Sequence, residues 1–178
     1  LKSSFGKCRR AFPTTEGESY VRELAWLLDF RKDVYSQTGE DGVIQKILQI
    51  LSERNKWCVE FGAWDGVLFS NTRNLIENAD YSAILIEGSK VKWDKLKKNY
   101  SSKTNIISIN TFVGFSKDDN LDVIPANTPV PFDFDFLSID VDGNDYHIWR
   151  TISKYRPKVI CYGSKICPTC RPTPKSRC

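Results

Sequence analysis

The sequence predicts a three-layer α/β domain with a mainly parallel sheet, and two observations carry that prediction. Short apolar runs alternate with helix-period segments through the middle of the chain, the order that builds strand–helix–strand units with right-handed crossovers. Four of these runs also carry a carboxylate or amide at or beside their carboxyl end, namely Glu60, Glu87, Asn110 and Asp140. In open α/β sheets, ligands bind beyond the carboxyl ends of the strands. At 178 residues, 40% hydrophobic and 27% charged, the chain fits one globular domain with a core of useful size.

The elements follow in order. Residues 1–18 are polar, contain Pro13 and Gly17, and are expected to run over the surface. Tyr20, Leu24, Leu27 and Leu28 predict a helix over 19–30, and Val43, Ile44, Ile47, Leu48 and Leu51 predict another over 41–51. Gly39-Glu40-Asp41 supplies a turn and an N-terminal cap for the second. Strands are predicted at 57–61, 83–87, 106–110, 136–140 and 158–161, with helices at 72–77, 91–100 and 146–153 between them. Tyr146 and Trp149 are expected in the core. Pro125, Pro129 and Pro131 keep 118–132 from being a regular helix, and a lid or a plain surface connection fits it equally. The chain thus divides into an N-terminal extension and helix (1–34), an α/β domain (35–161) and a Cys/Pro/basic tail (162–178). No strand pair follows the fifth strand, so one sheet edge is expected to be short and open.

Val59-Glu60-Phe61-Gly62-Ala63-Trp64-Asp65-Gly66 is the most informative segment. It joins a strand to a helical pattern and places two glycines where backbone must bend sharply and approach a ligand closely. An ordinary tight turn fits the same pattern; the next unit tips the balance. The run 81–88 ends in Glu87, which follows Gly66 by 21 residues. An acidic residue at that separation takes ribose hydroxyls in dinucleotide folds, so the set reads as a nucleoside-type ligand site.

Together with Ser36-Gln37-Thr38-Gly39-Glu40-Asp41-Gly42, Ile86-Glu87 and Ser138-Ile139-Asp140-Val141-Asp142-Gly143-Asn144-Asp145, this segment resembles the FkbM-like branch of the S-adenosylmethionine-dependent methyltransferases. The resemblance runs from about Tyr35 to about Ile160. It implies a Rossmann-like fold with S-adenosylmethionine as cofactor. It also implies that Glu60, Gly62 and Gly66 form the methionine and ribose side of the site, that Glu87 holds the ribose diol, and that Asn110 sits by the adenine. The common methyltransferase turn has a glycine where this chain has Trp64.

Several classes are excluded or set aside. Net charge is +4, and the basic run Lys90–Lys98 has the spacing of a solvated helix face. It does not alternate with aromatics in the manner of a base-stacking surface, so nucleic acid is not the expected partner. No apolar run is long enough for a membrane span. The chain starts at Leu1 and holds no methionine, which reads as a processed or partial product whose missing segment could have carried a signal or anchor. Of six cysteines, Cys58 and Cys161 lie in predicted strands and read as reduced small hydrophobes. Cys167 and Cys170 form one two-residue-spaced pair with Cys8 and Cys178 distant; a disulfide, a disordered tail and zinc all fit, and no metal site is assigned. The acidic run 140–145 lacks the glycine and distant glutamate of an EF-hand.

Methyl transfer requires donor and acceptor to be held close and aligned, with a group to take the acceptor proton. Asp140 and Asp142 end the fourth strand and are the candidates, with His147, the single histidine, as a further base. The expected reaction is O-methyl transfer to a small-molecule or glycan hydroxyl. Two other readings are an inactive binding module on the same fold and a nicotinamide-dependent oxidoreductase. The second needs a three-glycine turn for its pyrophosphate, and this chain has two.

Overall fold

The computed structural model describes residues 25–141, 143–163 and 165–168. A 3-10 helix, Ala25–Phe30, precedes α1 (Glu40–Ile50), β1 (Trp57–Phe61), α2 (Arg73–Asn78), β2 (Ser82–Glu87), α3 (Lys90–Asn99), β3 (Ile106–Asn110), β4 (Phe136–Ile139), α4 (Asp145–Thr151), β5 (Val159–Tyr162) and β6 (Lys165–Pro168). The sheet order is β3-β2-β1-β4-β5-β6. The first five strands are parallel and β6 is antiparallel to β5. β1 is central, with β2 on one side and β4 on the other.

Alternation along the strands makes the layers. Cys58, Ala83, Leu85 and Phe136 face one side and pack with Val43, Ile44, Ile47 and Leu48 of α1, Leu75 and Ile76 of α2, and Leu96 of α3. Their neighbours Val59, Phe61, Ile84, Ile86, Leu137 and Ile139 face the other side, against Ile148 and Ile152 and against Leu121 and Val130 of the long loop. A period of two in a doubly covered sheet gives continuous apolar strands, which is why they were conspicuous in the sequence.

Four features differ from expectation. The sheet continues past β5: Lys165–Pro168 pairs antiparallel with it, so part of the 162–178 segment covers the edge expected to be open. Of the helix predicted over 19–30, the described portion is 3-10. Asp41 does not cap its own helix. Its Oδ2 accepts from the backbone N–H groups of Val34, Tyr35 and Ser36 at 2.6–2.9 Å, tying the incoming loop to α1, while Gly39 opens the helix with φ +89°. Tyr146 is half exposed rather than buried, whereas Trp149 stacks on Tyr162 with centroids 5.8 Å apart.

Two buried carboxylates fix the frame around this sheet. Asp135 accepts from the N–H groups of Asn55 and Lys56 and pairs with Lys158 Nζ at 2.8 Å, binding the starts of β1, β4 and β5 together. Asp122, in the long loop, accepts from Ser153 N and Oγ and from the N–H groups of Lys154 and Tyr155. These bonds clip the loop to the chain just beyond α4. Burial pushes the Asp122 pKa up, but the bonds from Ser153, Lys154 and Tyr155 outweigh it and hold the carboxyl below its ordinary 3.8.

Because the folded pKa lies below the unfolded one, this stabilisation is complete above the ordinary value and is lost as pH falls through the folded value. Asp122→Asn leaves a donor facing the Ser153 N–H and should cost about 1–3 kcal/mol at pH 7. Urea unfolding of both proteins should show the gap closing as the pH is taken below the ordinary carboxylate range; a gap independent of pH would contradict this account.

Candidate functional site

A cavity of about 570 Å³ opens at the carboxyl ends of β1, β2 and β4, a size common for small-ligand sites. It lies where the chain order reverses, with β2 and β3 to one side of β1 and β4 and β5 to the other. The loops after β1, β2, β3 and β4 supply its walls, and Gln37 closes it from the segment before α1.

The turn after β1 is set by packing between strands. Phe61 O accepts from Asp140 N at 3.2 Å, and Ala63 N donates to Ile86 O at 3.1 Å. Gly62 therefore sits between the ends of β4 and β2 with φ +73°, and a Cβ there would overlap the carbonyl oxygen of Asp140. Only glycine meets both demands. Trp64 follows with φ +50°, an uncommon conformation for a bulky side chain. Its ring carries Lys92 Nζ 4.0 Å from the centroid.

Glu87 ends β2 in the cavity wall and is 7% exposed. Oε2 accepts from Trp64 N at 2.9 Å and Oε1 from Ser89 N at 2.7 Å. A carboxylate has about four lone-pair sites, so each oxygen keeps capacity for a ligand hydroxyl while its orientation is fixed. Asp140 lines the opposite wall, next to Asn144 and Val141.

Glu60 also lines the cavity, but its carboxylate is engaged. Oε2 accepts from Ser70 Oγ at 2.6 Å and Thr72 Oγ1 at 2.7 Å, and Oε1 from Asn71 N at 3.0 Å. Burial raises its pKa against the pull of those three bonds, and the Asp140 carboxylate adds to the rise. Its role here is to brace the chain entering α2, with Asn71 Nδ2 reaching on to Ser138 Oγ at 3.3 Å.

Three residues expected at the site are not among those lining the cavity. Gly66 has φ +72°, and a Cβ there would press on the ring of Tyr100, whose hydroxyl donates to Gly66 O at 2.7 Å. That glycine serves packing against the end of α3. Asn110 Nδ2 donates to Glu87 O and Gly88 O at 2.8 and 3.2 Å, which braces β2. His147 is exposed on α4, edge-on to Phe115 and Tyr146. Asp142, Cys8, Cys170 and Cys178 lie outside the described residues, as does the side chain of Cys167. Cys58 and Cys161 are buried and free, and burial pushes the Cys161 thiol up to about 12, with Glu40 and Glu60 adding to it. Among the described residues no cluster of His, Cys, Asp and Glu is arranged for a metal.

Sequence reading missed Trp64, Leu68, Phe69, Lys92, Phe112 and Phe115, all of which line the cavity. They stand on loops and on the first turn of α3. For the five apolar ones, the sequence signal is large hydrocarbon side chains in the loops that follow β1 and β3, where polar turns are the rule.

No family model and no curated protein sequence matches the chain. Solved structures with a similar backbone are methyltransferases by their descriptions. A carbon methyltransferase, CurJ, has a TM-score of 0.49 at 10% identity, over 86% of this chain and 52% of its own. A protein described as a caffeoyl-CoA O-methyltransferase from Staphylococcus aureus has 0.48 at 14%, over 82% and 65%. One described as an S-adenosyl-L-methionine-dependent methyltransferase from Methanococcus maripaludis has 0.47 at 14%, over 90% and 68%. The chain therefore spans between about half and two thirds of their lengths. At such identities none of them assigns a role to a residue of this chain.

The bracing by Glu60 has a measurable signature. Its folded pKa is raised above the ordinary 4.5, so the folded state holds the proton more tightly and stability falls as pH rises from there through the folded value. Glu60→Gln removes that titration, and the Ser70 and Thr72 hydroxyls can turn to accept from the amide while its oxygen keeps Asn71 N–H. Urea midpoints between pH 4 and 8 should flatten in Glu60→Gln, whereas Glu60→Ala should lose about 1–3 kcal/mol. Equal pH slopes in the wild type and Glu60→Gln would refute the assignment.

Proposed function

We propose that this chain is the cofactor-binding core of an S-adenosylmethionine-dependent methyltransferase, FkbM-like in its motifs, that methylates a hydroxyl of a small-molecule or glycan acceptor. The observation that carries the reading is Glu87: a buried carboxylate at the end of β2, fixed by one backbone donor on each oxygen and facing a cavity beside the Gly62 turn. A vicinal diol fits that arrangement, since its two hydroxyls find an acceptor already desolvated and oriented.

The charge of the site supports a cationic cofactor. Glu60, Glu87 and Asp140 line the cavity against one lining cation, Lys92, an excess of carboxylates that suits a sulfonium and opposes the pyrophosphate of a nicotinamide dinucleotide. When bound, S-adenosylmethionine supplies a methyl group activated by positive sulfur. Asp140 would take the acceptor hydroxyl proton. Asn144 and Gln37, both in the cavity wall, orient the acceptor. Asp142, two residues on in the sequence, is the alternative proton acceptor. No helix among the described residues is long and apolar enough to cross a membrane.

One observation favours the second reading, a binding module without turnover. Trp64 holds a left-handed conformation where the common methyltransferase turn has glycine, and Lys92 lies over its ring.

Calorimetry with S-adenosylmethionine separates the two. The wild type should bind it and Glu87→Ala should bind at least tenfold more weakly, each lost charge-assisted bond being worth about 1.5–3 kcal/mol before water competes. Undiminished affinity in a folded Glu87→Ala would remove Glu87 from the ribose, and no binding by the wild type would remove the cofactor altogether.

Asp140→Asn should lower turnover about 100-fold while leaving cofactor affinity in place. Full activity in both Asp140→Asn and Asp142→Asn would exclude the pair as proton acceptors.

A further inference from the structure

The acceptor end of the cavity is walled by exposed hydrocarbon. Trp64, Leu68, Phe69, Phe112 and Phe115 all line the cavity and are 47–77% exposed. Large apolar side chains left open together around one concave space mark a binding surface rather than ordinary surface scatter. Two of them sit on unusual backbone: Trp64 has φ +50° and Phe69 has φ +55°. Conformations that bulky residues avoid persist where the surrounding structure imposes them, and they gather at ligand sites.

Position divides this set. Phe112 packs its ring directly over Gly88, beside Glu87, and so belongs to the nucleoside end. Leu68, Phe69 and Phe115 are left for the other occupant. From Phe115 the aromatic surface continues outward to His147, with centroids 6.1 Å apart, and then to exposed Tyr146 at 5.7 Å. This path runs along α4, which begins just after Asp140.

Of the polar residues lining the cavity, Gln37, Asn144 and Lys92 are left with Asp140 for the polar end of the acceptor, whereas the hydroxyls next in sequence to the apolar lining, Ser70 and Thr111, are already engaged. Ser70 Oγ donates to Glu60, and Thr111 Oγ1 donates to Phe112 O at 3.3 Å. Each sugar hydroxyl buried against Leu68, Phe69 and Phe115 would lose water without a replacement.

We infer that the acceptor is an amphipathic hydroxy compound, with an aromatic or aliphatic body seated on Leu68, Phe69 and Phe115 and its hydroxyl directed to Asp140. This narrows the acceptor class of the methyltransferase reading and rests on that reading for the role of Asp140. The apolar seat itself does not depend on the cofactor.

The test is calorimetric titration of the full chain with 1-naphthol and with methyl glucoside, alongside a separate titration with S-adenosylmethionine. Naphthol should bind saturably and the glucoside at least tenfold more weakly. Phe69→Ser and Phe115→Ser, at exposed positions, should each weaken naphthol at least tenfold with unchanged unfolding midpoints. Val91→Ser, an exposed apolar position outside the cavity, should leave naphthol affinity as it was. Equal binding of naphthol by wild type and both serine variants, a preference for the glucoside, or no saturable naphthol binding would each overturn the inference. If naphthol behaves as expected and S-adenosylmethionine does not bind, the methyltransferase reading fails and the apolar seat stands.

Discussion

The contact between Gly62 and the backbone of Asp140 is the constraint on which the rest of the site depends. β1 is held on both sides by parallel neighbours, and its last residues must leave the sheet without opening either ladder. The Phe61–Asp140 and Ala63–Ile86 backbone bonds continue pairing one step past the strand, which leaves no volume for a side chain at residue 62. The chain can then turn away only with positive φ. That single turn sets the height of Trp64, lets its N–H reach Glu87, and separates the loops that enclose the cavity.

Carboxylates do most of the loop fastening. Asp41 holds three consecutive N–H groups, Asp122 three N–H groups and a hydroxyl, Asp135 two N–H groups and a lysine, and Glu60 an N–H and two hydroxyls. Backbone donors that would otherwise be buried without partners are met by one charged acceptor each time. Glu87 is built the same way, but on the wall of a cavity, so the acceptor capacity left after fastening is available to a ligand. Of these five carboxylates, Glu60 and Glu87 are the two that line the cavity, and Glu60 has spent its oxygens on the chain entering α2.

The sheet was legible in the sequence because its strands are covered on both faces. β1 and β3 have the bounds their apolar runs predict, and β2 and β4 differ by a residue at one end. Glu87, Gly62 and Asp140 line the cavity because they stand at or just beyond strand ends. Gly66 and Asn110 lie outside that lining, since spacing does not distinguish a residue on a cavity wall from one that packs on Tyr100 or braces β2. The aromatic wall was invisible for a different reason: Phe69 and Phe115 come from separate loops, and nothing local to either indicates that they share a space. β6 was missed because a four-residue edge strand of mixed polarity has no burial pattern of its own and is specified by its neighbour.

The position of β1 also divides the sheet by chain-closure cost. Glu60 is paired with Leu85 across a short helical crossover, but with Ser138 only after the whole of α3, β3 and the long loop have been made. Closing the first of these contacts costs much less chain entropy than closing the second. The β1–β2–β3 half of the sheet therefore carries the lower closure cost, and Val59 and Phe61 gain their cover from Ile148 of α4 across the longer span of chain. Without β4 the cavity lacks its Asp140 wall, and the β1 edge left unpaired would be an apolar parallel edge open to association.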